Sequence, residues 1–165
     1  MTISPRRRAR HAVLQALYAH SLSGDSPSHI FKTVLQPRLP KQEGAMKMGI
    51  RLFNKVISEQ EDLDQIIEGG ARNWDLNRIL RTDLIILRMA ICEFLFFYHI
   101  PPKVTMNEAI ELSKIFSTEE SKDFVNGVLD TISVRLREEG KLVKSEGGLQ
   151  GWDEMVNRQD AQRTR

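Results

Sequence analysis

The stretch from Leu84 to Ile100 limits the possible folds of this chain more than any other. It is apolar on nearly every side, yet Arg88, Glu93 and His99 interrupt it. At 17 residues with two full charges, it is short and polar for a membrane span. It reads instead as a buried helix around which others pack. A buried charge is costly unless it is paired. Arg88 and Glu93 stand about 140° apart around a helix axis and cannot satisfy each other. Each must therefore meet a residue of another helix or reach the surface.

The flanking sequence carries the same period. A helix is predicted from about Pro5 to Leu22, with Pro5 at a first-turn position where its missing N–H costs nothing. Ser23–Pro27 stops it, a short helix follows near Ser28–Leu35, and a Pro-containing linker covers 36–43. Met48, Leu52, Phe53, Val56 and Ile57 give an amphipathic helix over about 45–62, and Leu63, Ile66 and Ile67 add turns before Gly69-Gly70. Residues 71–77 read as a loop. Pro101-Pro102 ends the central helix and opens another, with Val104, Ala109, Ile110, Leu112 and Phe116 inward. Ser117 and Glu120 have capping-box spacing ahead of a last stripe at Val125, Val128, Leu129, Ile132 and Leu136. Gly127 in that helix costs about 1 kcal/mol against Ala, and predicts close approach by another helix. Residues 1–139 form one helical domain in this reading. Residues 140–165, with four of the ten glycines and weak periodicity, form a flexible or partly ordered tail. The sum is an all-α fold of about seven helices.

The chemistry is sparse. There is no H-E-x-x-H, no phosphate loop, no G-x-S-x-G and no second cysteine to ligate zinc with Cys92, so the chain is not expected to be an enzyme or to hold a cofactor or metal. A single cysteine excludes an intramolecular disulfide and fits the reducing cytoplasm. The start has a basic region but no A-x-A site, which argues against a secretory signal. Net charge is only +2, but residues 1–20 hold Arg6, Arg7, Arg8 and Arg10 and no acid, a footprint suited to a polyanion. On a helical wheel Ala9, Val13, Ala16 and His20 cluster within about 60° and should meet the core. Arg7 and Arg10 lie to one side of that stripe, with Leu14 and Tyr18 forming a smaller apolar surface beside them. Another helix or a partner would cover that surface. Arg8 points about 200° from Arg6.

RRRARHAVLQALY at 6–18, LRMAICE at 87–93 and PPKVTMNEAIELSKIFSTEESKDFVNGVLDTI at 101–132 together resemble the NusB family of bacterial transcription antitermination factors. The likeness covers about residues 5–137, is weaker over 23–75, and excludes the tail. It implies two packed three-helix bundles with an extra helix. It also implies a non-enzymatic role in which boxA-like single-stranded RNA of ribosomal operons is bound together with the ribosomal protein NusE, in the setting of the transcription elongation complex. The state would be monomer or homodimer, with no membrane association.

Position by position, the resemblance assigns Arg6, Arg7, Arg8 and Arg10 to an arginine-rich RNA motif. Lys103, Glu120, Lys122 and Phe124 match a second RNA region, while Tyr18 and Asp83 match the partner-facing positions. Charging Tyr18 or reversing Asp83 is then expected to weaken partner binding with the fold intact. Two residues depart from the pattern: Pro102 stands where Tyr is common, and Asp123 where a basic residue is frequent, and an acid beside a phosphate is unfavourable. A helical accessory module of an RNA-modifying system, or a structural oligomer without specific RNA binding, is the alternative.

Overall fold

The structure is a computed structural model that describes residues 2–71 and 75–164. Among these residues there are eight helical stretches and no strand. Helix α1 spans Pro5–Ser23; Ser4 Oγ accepts from Arg7 N–H at its start, and Gly24 closes it in the left-handed conformation. The short helix α2 begins at Pro27–Ile30 and continues through a π-helical turn, Phe31–Leu35, into Gln36–Arg38. The wider turn accommodates Pro37, whose ring would collide with the carbonyl four residues back. Glu43–Ser58 forms α3 and Gln60–Gly70 forms α4. The amphipathic stripe predicted as one helix with added turns is therefore broken at Glu59. Then come α5 (Arg81–Phe96), α6 (Pro102–Phe116), α7 (Ser121–Glu138) and α8 (Trp152–Arg163).

Helices α1, α2 and α3 make one three-helix bundle, and α5, α6 and α7 make the other, with α4 laid against α5 and α7. The all-α, two-bundle expectation holds. Helix α5 is the central one: Ile86, Leu87, Ile91 and Phe94 have no exposed surface, and the helix touches both bundles. Its interrupting charges find partners on other helices. Arg88 makes two parallel bonds to Asp64 of α4, at 2.7 and 3.0 Å, and Glu93 pairs with Arg10 of α1. No helix among the described residues is long and apolar enough to cross a membrane.

Several local expectations change. The loop predicted over 71–77 lies partly on 72–74, outside the described residues; Leu76–Arg78 is a short 3₁₀ turn. Ser117 does not cap α7, because its hydroxyl donates to Asp83 Oδ1 at 2.6 Å, and Thr118 N–H turns to Ser121 Oγ. Gly127 is exposed, with no atom within 4 Å of where a Cβ would stand. The close approach occurs instead at Gly69 and Gly70, against the Arg135 and Ile132 side chains. Beyond Gly140 the chain forms a 3₁₀ turn at Glu146–Leu149 and then α8. This last helix has little apolar periodicity. It seats Met155 and Gln159, both buried, and Gln159 donates to Asp130 Oδ1 and Ser133 Oγ of α7 at 3.0 and 2.8 Å.

Candidate nucleic-acid interface

The four arginines of the first turns of α1 divide by whether a carboxylate faces them. Arg6 and Arg8 are exposed and make no ion pair among the described residues. Arg7 forks onto Glu108 of α6, with Nε and Nη2 each 3.0 Å from a carboxylate oxygen. Arg10 is 3% exposed and forks onto Glu93 of α5 at 2.9 and 2.7 Å, while Thr105 of α6 donates to the same carboxylate at 3.0 Å. Burial alone would lower the Arg10 pKa. The Glu93 carboxylate more than offsets it, so the guanidinium stays charged. For Arg7, the hydrogen bonds to Glu108 lead and the pKa is raised. Two of the four arginines therefore staple α1 to the second bundle, and two stay exposed at the surface.

The sequence held a signal for this division. Leu14 lies on the same side of the wheel as Arg7 and Arg10, and in the structure it is buried. Glu93, left without a partner by its own helix, meets Arg10. Tyr18, the other member of that small apolar surface, is 37% exposed, so a helix covers one residue and not the other.

The second candidate region lies on α6 and α7, and α6 also contacts α1. Arg7 binds Glu108, and the His11 ring meets Phe116 edge-on at 5.2 Å. These two contacts tie the first half of α1 to α6, the helix whose first turn carries Lys103; Glu120, Lys122 and Phe124 follow it in the chain. Burial, then the Arg7 charge, lowers the His11 pKa, and its Nε2 is buried without a hydrogen-bond partner among the described residues. Glu120 is exposed, Lys122 is half-buried and 3.9 Å from Glu119, and Phe124 is half-buried with its ring against the core. Lys103 reaches Glu154 of α8 at 2.9 Å.

Asp83 sits differently from what its assignment suggests. It is 3% exposed, and its two oxygens accept from Ser117 and Ser121 at 2.6 and 2.8 Å, tying the first turn of α5 to the start of α7. Near Tyr18, Leu22 and Leu80 are exposed, and a cleft of about 840 Å³ lined by Leu17, Ser21, Leu80 and Leu84 opens between α1 and α5.

Residues 7–134 match the NusB family. The chain belongs to it. Among NusB relatives, the transcription antitermination protein of Salinibacter ruber is 37% identical over 156 residues, covering 94% of this chain and 98% of that one. The Geobacter sulfurreducens NusB is 38% identical over 135 residues, or 82% and 98%. The solved NusB of T. maritima superposes with a TM-score of 0.72 at 35% identity, covering 81% of this chain and 93% of that one. A crystal structure of the antitermination factors NusB and NusE in complex with double-stranded RNA matches with a TM-score of 0.72 at 26% identity, covering 81% and 99%.

Proposed function

We propose that this chain is a non-enzymatic, cytoplasmic transcription antitermination factor. It binds boxA-like single-stranded RNA of ribosomal operons together with the ribosomal protein NusE and acts on the elongation complex. Membership of the NusB family carries the reading, and a solved relative in complex with NusE and double-stranded RNA supports a NusE partner and an RNA partner. Arg6 and Arg8 are the residues of the arginine cluster that take RNA phosphates, with Lys103, Glu120, Lys122 and Phe124 as the second region. Arginine suits the task, since its fork grips phosphate and its plane stacks on exposed bases. Arg7 and Arg10 act from beneath, by holding α1 in place. Tyr18, with the exposed Leu22 and Leu80, forms the surface for NusE. Asp83 contributes by fixing the start of α5 under that surface.

Fluorescence anisotropy with boxA-like and scrambled RNA at matched salt, with and without purified NusE, tests the proposal. Preference for the boxA-like strand that strengthens on adding NusE is the expected result. Equal binding of both RNAs, unaffected by NusE, would refute it.

A further inference from the structure

The turn between α5 and α6 has an unusual construction. Lys144, from the segment after α7, donates its ammonium to the carbonyls of Glu93 and Phe97 at 3.0 and 2.9 Å, closing the C-terminal end of α5. The next residue, Ser145, donates from both its backbone N–H and its hydroxyl to the Tyr98 carbonyl, at 2.9 and 3.1 Å. Gly148 packs so closely on that carbonyl that a Cβ would collide with it. From the other side, Arg51 of α3 donates to the Phe96 carbonyl at 2.6 Å and lies 4.4 Å over the Phe97 ring. The backbone of this turn is held from both flanks, yet the Tyr98 side chain is 50% exposed.

Charge completes the pattern. The charges that act on the exposed His99 are Arg6, Arg51 and Lys144, together with one acid, Glu93, which is already paired with Arg10. Burial of Lys144 lowers its pKa to about 8, which leaves it mainly protonated at neutral pH. An exposed aromatic residue on a held backbone, next in the chain to a residue on which several cations act, is the combination that single-stranded nucleic acid uses: bases stack and phosphates are neutralised.

We propose that the Phe97–Ile100 turn and Arg51 form an accessory single-stranded RNA contact continuous with Arg6, in which Tyr98 stacks on a base and Arg51 takes a phosphate. The inference rests on the RNA-binding reading above. It also gives residues 140–165 a part: Lys144, Ser145 and Gly148 are positioning residues for the turn.

Anisotropy titrations of the full chain with a boxA-like core RNA, and with the same core extended by a few unstructured nucleotides at its 5′ or 3′ end, test the contact. The wild type should gain affinity from one extension. Tyr98→Ala should cut affinity for that extended RNA by about ten-fold while leaving core binding within about two-fold, and Tyr98→Phe should restore it, since stacking needs the ring and not the hydroxyl. Arg51→Gln should flatten the salt dependence for the extended RNA by about 0.7, the contribution of one phosphate contact. Circular dichroism confirms that the variants fold. If the wild type binds the core but gains nothing from either extension, or if Tyr98→Ala and Arg51→Gln keep the full gain, the accessory contact is wrong and the main site stands. A wild type that binds neither RNA overturns the main reading and this contact with it.

Discussion

Arg6 and Arg8 differ from Arg7 and Arg10 in what stands opposite them, solvent for the first pair and a carboxylate for the second. All four sit in one basic run at the start of α1, yet two project into solvent and two are forked onto carboxylates of the second bundle. The same guanidinium can serve opposite ends. In water it is a mobile charge for a polyanion; between helices it is a fixed cross-link whose removal strands a buried carboxylate. A count of basic residues therefore overstates the binding charge of such a cluster and understates its structural share.

The largest effect should come from the inner pair. Arg10→Ala leaves Glu93 buried and unpaired, and should cost about 3–5 kcal/mol in chemical denaturation. Arg10→Lys should rescue little of it, since one ammonium cannot supply two parallel bonds. A loss below about 1 kcal/mol would mean that the pair is not a cross-link.

Asp83 extends the comparison to the partner surface. Asp83→Ala removes the acceptor of two hydroxyls and should cost about 1–3 kcal/mol of stability. Charge reversal there disturbs the fold before it can report on NusE. Tyr18→Asp, at an exposed ring, should leave the melting curve unchanged and weaken NusE binding. Normal stability of Asp83→Ala would return that residue to the surface.

The smallest effect concerns His11. Its folded pKa lies below the unfolded value of about 6.5, so its contribution to stability is present above that value and is lost as pH falls through the folded value. His99, lowered as well, acts in the same direction. His11→Phe should flatten the stability profile below about pH 6.5 and leave the His99 part. An unchanged profile would place the acid sensitivity elsewhere.

Periodicity and charge cost made the helices, the Pro101-Pro102 boundary and the need for outside partners at Arg88 and Glu93 legible in the sequence, because each depends on a few neighbouring residues. What covers a given face does not. The wheel set Arg7 and Arg10 beside Leu14 without naming the helix opposite, and Arg10 meets Glu93 across 83 positions of sequence. The same limit hid the true use of Ser117, whose hydroxyl goes to Asp83, and put the tight approach at Gly127 when it belongs to Gly69 and Gly70. Helix α8 has almost no periodic signal, because it is seated by Met155 and by the hydrogen bonds of Gln159.

The division of the arginines is tested most directly by the salt dependence of RNA binding in Arg6→Ala/Arg8→Ala. Two phosphate contacts on single-stranded RNA contribute about −1.4 to the slope of log affinity against log salt. The double variant should lose that much while melting as the wild type does, its two substitutions lying on exposed side chains. A variant that keeps the wild-type slope and fold would show that the outward arginines do not bind RNA.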